Sequence, residues 1–365
     1  MRQHIRWMVA GGAAVLALAG VPATAATAGE SRVALRAVEL DGGGYAVTSV
    51  RDITSNGQIV GNVGSDAGST AATWRRYDAP PVLLNTPDPH PHDINARGDV
   101  LGNDWYWHKG GTVMLSDPSR MVAAEAMNDR GQIVGTLLSP AGEYTAFLYE
   151  NGRFTELPTP AGRNSIATAI NNRGEVLGAV GDPYWGESVT TIWRDGGATS
   201  LTVPGPAQDI NDRGQVLINT ASGPGIWKDG VVTELGCGGS ECGYAVDINN
   251  AGDAVGQIQG GYAALWRNGR VIAIPLPAPT GWEGFGFFVN DRGDVAGRMI
   301  TLPSAERERE TRAFLWRDGR LLMSEGIHGD SYWLNLIGID ARGTFAGLLY
   351  TPDGERYPLW TPTRR

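Results

Sequence analysis

The chain has 365 residues, including 52 glycines and 21 prolines, and carries a formal net charge of −9 at pH 7. An acidic chain of this kind lacks the basic surface that binding to nucleic acid or to anionic lipid requires. Length alone favours two domains, but an internal repeat overrides that expectation.

The first segment predicts a secretory signal peptide over residues 1–28. Arg2 and Arg6 give it a positive start, a short apolar run follows, and Ala25 and Ala28 each end a small-x-small cleavage site. The run is too short and too rich in glycine and alanine for a membrane span. We therefore expect a secreted, extracellular protein without a membrane anchor.

Beyond this segment, one nine-residue pattern occurs eight times. Its form is Ile-Asn-x-Arg-Gly-x-Val-x-Gly, as in residues 170–178. The turn glycine of the pattern recurs at intervals of roughly 40 residues, a period typical of propeller blades. These glycines are Gly57, Gly98, Gly131, Gly174, Gly214, Gly252, Gly293 and Gly343.

Each unit contains signals for two β-hairpins. The pattern forms the turn between a first and a second strand, because Asn suits the first position of a type I turn and glycine the last. An Asn-Gly or Asp-Gly pair later in the unit joins a third and a fourth strand, and such a pair is the strongest short-range hairpin signal. The pairs begin at Asn151, Asp195, Asp229, Asn268 and Asp318.

Four antiparallel strands in each of eight units predict an all-β fold, an eight-bladed β-propeller over residues 29–365. None of the small sheets could bury both faces alone, whereas radial packing covers each sheet with two neighbours. A β-solenoid is disfavoured, because it stacks parallel strands and lacks two tight hairpins per period. One aromatic residue per unit falls on the predicted third strand and is expected to pack between blades: Trp74, Trp107, Tyr149, Trp193, Trp227, Trp266, Trp316 and Trp360.

The two ends of the chain are expected to complete the ring. The last unit stops after its third strand, at Trp360, whereas the segment from Val33 to Leu40 resembles the fourth strands of other units. We predict that this N-terminal strand completes the last blade beside the C-terminal strands. Closure of this kind also covers a sheet edge that would otherwise promote aggregation.

With these repeats the chain resembles the HAF family of extracellular repeat proteins. The resemblance rests on the eight Ile-Asn-x-Arg-Gly patterns and on the triplets Ala-Phe-Leu or Ala-Leu-Trp at residues 146–148, 313–316 and 264–266, and it covers nearly the whole mature chain. The His that gives the family its name is absent, since Thr145 and Arg312 precede the Ala-Phe pairs. The resemblance implies secretion and a repeat fold, and it brings no reaction or ligand.

Cysteines and possible metal ligands are few. Cys237 and Cys242 predict a disulfide, because an even cysteine count in a secreted chain favours pairing, and two thiolates alone do not make a metal site. The Asp-x-Asn-x-x-Gly start of some patterns resembles a calcium loop, but arginine stands at the fifth position in six units, where a ligand is needed. We interpret the segment from His90 to Asp93 as a solvated connector. No metal and no cofactor are expected.

Because the strands of a blade alternate in direction, the connections of variable length all lie on one face of the ring. The first and third turns of each blade lie on one side, the turn face. The other connections, which include residues 181–189, 278–286, 301–310 and 328–335, lie on the opposite side, the variable-loop face. Exposed aromatic residues on loops over a rigid scaffold suit recognition, although rings folded down and buried are the alternative. The predicted partner-binding residues are Tyr184, Trp185, Trp282, Tyr332 and Trp333.

These features favour a secreted binding module that recognises a carbohydrate, peptide or protein partner through the variable-loop face. The alternative is a secreted hydrolase or lyase with acidic residues at the propeller mouth. No nucleophile elbow or phosphate-binding loop occurs in the sequence, so an enzyme is the less favoured hypothesis. The enzyme hypothesis requires two carboxylates, or a carboxylate and a histidine, in one pocket.

Overall fold

The chain forms eight small antiparallel sheets arranged as the blades of a ring, so the predicted eight-bladed, all-β propeller is confirmed. The structure is a computed structural model that describes residues 35–65, 68–181, 188–201, 207–237, 242–277, 281–301, 308–329 and 333–363. The predicted signal peptide lies outside these ranges. Within them, no helix has the length and apolar character needed to cross a bilayer.

Blades 1 to 4 follow one another along the chain, each with its strands in sequential order. The chain enters through β1 (Leu35–Val38), which belongs to blade 8. The strands of these blades are β2 (Ala46–Ile53), β3 (Ile59–Ser65), β4 (Gly68–Trp74) and β5 (Val82–Leu83); β6 (Asp93–Ile94), β7 (Val100–Leu101), β8 (Trp105–His108) and β9 (Gly111–Met114); β10 (Met121–Met127), β11 (Ile133–Leu138), β12 (Tyr144–Glu150) and β13 (Arg153–Glu156); β14 (Ser165–Ile170), β15 (Val176–Gly181), β16 (Ser188–Arg194) and β17 (Gly197–Ser200).

Blades 5 to 8 repeat this arrangement, with one short extra strand in blade 7 and another in blade 8. The extra strands β30 (Ile327–His328) and β33 (Gly354–Arg356) pair with β28 (Glu310–Arg317) and β32 (Phe345–Thr351), respectively. The strands are β18 (Ala207–Ile210), β19 (Val216–Thr220), β20 (Gly223–Lys228) and β21 (Val231–Glu234); β22 (Tyr244–Ile248), β23 (Ala254–Ile258), β24 (Tyr262–Arg267) and β25 (Arg270–Ala273); β26 (Trp282–Val289), β27 (Val295–Thr301), β28 (Glu310–Arg317), β29 (Arg320–Met323) and β30 (Ile327–His328); β31 (Trp333–Ile339), β32 (Phe345–Thr351), β33 (Gly354–Arg356) and β34 (Leu359–Pro362).

The hydrophobic core is divided among the gaps between blades. First strands of neighbouring blades contact one another around the axis, and each of eight buried clusters combines residues from two adjacent blades. The third-strand aromatics contribute to these clusters: Trp193 packs in the gap between blades 3 and 4, and Trp266 in the gap between blades 5 and 6. The predicted inter-blade packing is confirmed, with the variation that in blade 2 Trp105 is fully buried and Trp107 only partly.

The N-terminal strand closes the ring as predicted. β1 pairs antiparallel with β34, with Leu35 opposite Pro362 and Val38 opposite Leu359. Leu35 and Trp360 are buried in the core cluster between blades 7 and 8. Blade 8 is therefore built from both ends of the chain; Val33, included in the predicted strand, lies outside the described residues.

The Asn of the repeated pattern explains why the pattern recurs. In blade 3, the Asn128 side-chain oxygen accepts hydrogen bonds from the backbone N–H groups of Arg130 and Gln132, at 3.0 and 3.1 Å. Its amide nitrogen donates to Gln132 Oε1 at 2.7 Å and to the backbone oxygen of Asn171, in the next blade, at 3.0 Å. One side chain thus holds its own turn and bonds the neighbouring blade, and five other residues repeat this set of contacts: Asn95, Asn171, Asn211, Asn249 and Asn290.

The hairpins between third and fourth strands have the turn chemistry that the sequence predicts. Asn151 and Gly152 both have positive φ, at 52° and 80°, as the type I′ turn of a two-residue hairpin requires. Every non-glycine residue with positive φ among those described occupies this turn position. They are Lys109, Asn151, Asp195, Asp229, Asn268 and Asp318, so blade 2 uses a Lys-Gly pair in place of the predicted Asn-Gly or Asp-Gly.

The last glycine of the pattern lies where first and second strands come unusually close. A Cβ atom added at Gly178 would clash with the backbone oxygen of Ile166. The first strand has a β-bulge beside this contact, between Ala167 and Ala169. Glycine at this position therefore permits the close backbone approach.

The two cysteines form the predicted disulfide. Cys237 follows the fourth strand of blade 5 and Cys242 precedes the first strand of blade 6, with their Cα atoms 5.2 Å apart. The bond is consistent with an extracellular protein.

Candidate functional site

Two of the five predicted partner-binding residues lie in the described part of the chain, and both are on strands. Trp282 is the first residue of β26 and Trp333 the first residue of β31, so their interpretation as loop residues was wrong. The predicted loops 278–286 and 328–335 were too long, because the first strands of blades 7 and 8 begin within them. Tyr184, Trp185 and Tyr332 lie outside the described residues.

The exposed aromatic residues of the described chain all lie on the variable-loop face. A first or third strand begins at this face and a second strand ends there. Tyr45 directly precedes a first strand, Tyr244 and Trp333 begin first strands, Tyr262 begins a third strand and Tyr350 lies at the end of a second. Their exposed fractions are 37–45%. Four of these five were missed from the sequence, because attention to loop segments overlooked strand ends.

A buried arginine surrounded by aromatic rings lies beneath this face, where blades 7 and 8 meet. The guanidinium carbon of Arg298 is 4.1 Å from the ring centre of Trp333, 5.1 Å from that of Phe285 and 5.4 Å from that of Phe287. Arg298 Nη1 donates to the backbone oxygen of Leu334, and at 3.3 Å to the side-chain oxygen of Asn335. We call these residues, together with Tyr244, the Arg298 cluster.

Burial dominates the electrostatics of this cluster. It lowers the pKa of Arg298 to about 10, with the neighbouring Tyr244 acting in the opposite direction, and it raises the pKa of Tyr244. Arg298 is 6% exposed. Because the aromatic ring faces carry partial negative charge, they offset part of the cost of burying the cation, by about 2 kcal/mol for a desolvated pair.

Trp282 has a similar but looser arrangement next to the cluster. The guanidinium carbon of Arg312 lies 5.8 Å from its ring centre, and Arg312 Nε donates to Glu310 Oε1 at 2.6 Å. Since that arginine already has a carboxylate partner, its charge is compensated within blade 7.

A second group of ionisable residues lies around the axis near the turn face, in blades 1 to 3. Asp52 accepts a hydrogen bond from the backbone N–H of Ile53 at 2.7 Å, and Asp93 accepts one from Met127 at 2.9 Å. Burial and the charge of Asp93 raise the pKa of Asp52 well above its ordinary value. The same two causes raise the pKa of Glu125. The acids thus meet at the end of the ring opposite the exposed aromatics.

His92 belongs to this axial group, which corrects its interpretation as part of a solvated connector. Its backbone N–H donates to Leu101 at 2.9 Å, and its Nε2 atom is buried without a hydrogen-bond partner. Burial lowers the pKa of His92. His90, two residues earlier, is exposed as expected, with Nδ1 3.3 Å from Asp88 Oδ1.

The raised pKa of Asp52 predicts a specific pH dependence. In the unfolded chain Asp52 ionises near its ordinary pKa, so between that value and the higher folded pKa only the folded state holds the proton, and acidification through this window favours folding. We expect Asp52→Asn, which keeps an oxygen for Ile53, to be more stable than the wild type at pH 7. This advantage should shrink as the pH falls towards 4.

Urea unfolding of both chains at a series of pH values between 4 and 7 measures this difference. Each comparison is made at one pH, so that the acids whose pKa is lowered, such as Asp117, cancel. A gap between the two chains that stays constant or widens on acidification would contradict the assignment.

The positions of the calcium-like pattern are already engaged in the fold. Arg173 at the fifth position pairs with Glu175, with 2.5 Å between Nη2 and Oε1, and a Cβ added at Gly214 in the next turn would lie 2.6 Å from Arg173 Nη2. The pattern arginine therefore links its own turn to the neighbouring one. Within the described ranges, no group of three or more His, Cys, Asp or Glu side chains is placed to hold a metal ion.

No protein-family model matches the chain, and no curated protein matches its sequence. Solved propeller structures resemble it at low identity. The β-propeller domain of the Trilobed protease from Pyrococcus furiosus has a TM-score of 0.45 and 10% identity, over 88% of this chain and 95% of that one. An acylaminoacyl peptidase of Pyrococcus horikoshii gives 0.42 and 12%, over 87% of this chain and 51% of that one. YCF48 bound to D1 peptide gives 0.37 and 10%, over 92% and 97%. Similarity at this level says nothing about ligand or activity.

Proposed function

We propose that the protein is a secreted binding module of the HAF type that recognises an extracellular carbohydrate or protein through its variable-loop face. The observation that carries this proposal is the one-sided distribution of exposed aromatic side chains. All five in the described chain lie on that face, and the turn face is occupied by the repeated polar contacts between blades. Large aromatic residues on a rigid scaffold supply contact area at low cost in conformational entropy.

The secreted hydrolase or lyase is the second candidate, and the axial group of Asp52, His92, Asp93 and Glu125 is the observation that favours it. These side chains bring carboxylates and a histidine together, as the hypothesis requires. However, these acids accept hydrogen bonds from the first strand of the next blade. The donors are the backbone N–H of Ile94 to Asp52 at 3.4 Å and that of Met127 to Asp93 at 2.9 Å. In blade 6 Asp247 likewise accepts from Val289 at 2.7 Å. A role in joining first strands explains acids at this position, so the binding module is the better supported function.

Truncating two tryptophans of the variable-loop face, the partly buried Trp282 and the exposed Trp333, tests the binding function. We expect Trp282→Ala combined with Trp333→Ala to weaken capture of the partner at least tenfold, because aromatic residues at the centre of an interface each contribute about 2 kcal/mol or more. Immobilised protein is incubated with cell-wall polysaccharide fractions and with secreted proteins from culture medium, and bound material is quantified.

The matched control is Val231→Ala on the outer strand β21, since Val231 is 64% exposed on a different surface. It should leave capture unchanged. If the double variant folds and captures as much material as the wild type, this face is not the binding site.

A further inference from the structure

The charge of Arg298 has no anionic partner among the described residues. Its Nη1 atom is engaged with Leu334 and Asn335, whereas its Nε atom is buried without any hydrogen-bond partner. None of the described carboxylates forms an ion pair with it, although the other buried or half-buried arginines that contact neighbouring turns, such as Arg267 and Arg317, do have one. The positive charge of Arg309 also acts to lower the pKa of Arg298.

Other blades show that the structural role of this position does not need a charge. In blades 5 and 6 the residue that corresponds to Arg298 in the pattern bridges to the first strand of the next blade. Asn219 donates from Nδ2 to Ala245 at 2.8 Å in blade 5, and Gln257 donates from Nε2 to Gly284 at 3.1 Å in blade 6. Arg298 makes the equivalent bond in blade 7. A neutral amide is therefore sufficient for the bridge, and the buried cation requires a different explanation.

The surroundings of Arg298 are suited to a ligand that brings both a negative charge and a flat apolar face. Trp333 is 45% exposed and Tyr244 37%, although both belong to the cluster that encloses the guanidinium. An exposed tryptophan ring can stack on the C–H face of a pyranose. The Tyr244 hydroxyl and the Asn335 amide provide hydrogen-bonding groups for sugar hydroxyls. A guanidinium in a poorly hydrated site is the preferred protein partner of a carboxylate.

We propose that the Arg298 cluster is a subsite for the carboxylate of an acidic sugar residue, with the pyranose ring stacked on Trp333. This inference rests on the proposed binding function and narrows its partner to a uronic or sialic acid. The ligand carboxylate supplies the counter-charge that the described chain lacks at Arg298. The overall charge of −9 would repel polyanions, so binding of an acidic sugar depends on this local site.

Arg298→Gln tests the proposal directly, because glutamine makes the same bridge at the equivalent position in blade 6. The probes are oligogalacturonate, oligomannuronate and sialyllactose, with methyl-esterified oligogalacturonate and a peptide with a free C-terminal carboxylate as comparisons. Titration calorimetry at pH 7 should show that the wild type binds at least one acidic sugar. Binding should weaken at least tenfold in Arg298→Gln and Trp333→Ala, and esterification should abolish it.

Three results would overturn the proposal: no binding of any of the three acidic sugars, equal binding of the methyl ester, or unchanged binding by a folded Arg298→Gln. Preferential binding of the peptide would likewise reject a sugar as the ligand. If Arg298→Gln does not fold, two other measurements still test the proposal. One compares binding of the acid and of its methyl ester by the wild type, and the other measures binding by the Trp333→Ala variant. Capture of a neutral polysaccharide or a protein that depends on Trp282 and Trp333 but not on Arg298 would uphold the binding function while rejecting this subsite.

Discussion

Asn128→Ala will lower the free energy of unfolding by roughly 3–6 kcal/mol, because it leaves several buried polar groups without partners, each of which costs about 1–3 kcal/mol. Asn128 is fully buried. Without its side chain, the backbone N–H groups of Arg130 and Gln132 and the backbone oxygen of Asn171 in the next blade lose their hydrogen-bond partner. Equilibrium unfolding in urea, followed by tryptophan fluorescence, measures the change.

A second variant at this position separates the turn contacts from the contact to the next blade, and a variant of an exposed Asn serves as the control. Asn128→Asp keeps the acceptor for the turn but replaces the amide that donates to Gln132 Oε1 and to the Asn171 backbone oxygen. It should therefore cost less than alanine at mildly acidic pH, where the buried carboxyl is protonated. Blade 8 supports this expectation, since Asp340 occupies the position there and accepts from Arg342 and Thr344, both at 2.8 Å. The exposed Asn85 provides a matched control, Asn85→Ala. If Asn128→Ala loses no more unfolding free energy than Asn85→Ala, the repeated Asn contacts between blades do not stabilise the propeller.

Deletion of residues 29–40 will open the ring at blade 8. It removes the pairing of β1 with β34 and the buried side chains of Leu35 and Leu40, each worth about 1.5–3 kcal/mol. We expect the Tm to fall by roughly 10 °C, given about 2–4 °C per kcal/mol for a large domain. The uncovered edge of β34 should also promote self-association. Differential scanning calorimetry and light scattering report the two effects.

Adding the missing strand back separates loss of closure from general damage. A synthetic peptide spanning residues 29–41 should raise the Tm of the shortened chain and suppress its association, whereas a peptide of scrambled sequence should do neither. A shortened chain that remains monomeric with the Tm of the full chain would mean that the closing strand contributes no stability.

The propeller could be predicted because its information is local and repeated. A turn that ends in glycine recurs in every unit, with Asn at its start in six of the eight, and a hairpin pair such as Asn151–Gly152 recurs in five. Eight imperfect copies average out the weakness of any single one. The closing strand was predictable for the same reason, since a missing fourth strand at one end matched a surplus strand at the other.

The candidate site was only partly predictable, because it is assembled from blades 6, 7 and 8. Trp282 and Trp333 were found by their residue type, but their position on strands depends on where each first strand begins. Arg298 was missed, although a comparison of the residues after the last glycines would have marked it as the one charged residue. The others are Asn62, Asn103, Thr136, Ala179, Gln257 and Leu348. Which side chains surround it depends on register and on inter-blade packing, which the pattern does not encode.

The contact between Asn128 and Asn171 has a consequence for how such proteins can change over evolutionary time. Every blade from 2 to 7 presents a donor to its successor, and the acceptor is always a main-chain oxygen, which any residue supplies. Gene duplication or loss of one whole unit therefore adds or removes one complete inter-blade hydrogen bond, and the hydrogen bonds between the remaining blades stay compatible. Rings with fewer or more units could arise from the same building block without a redesigned interface.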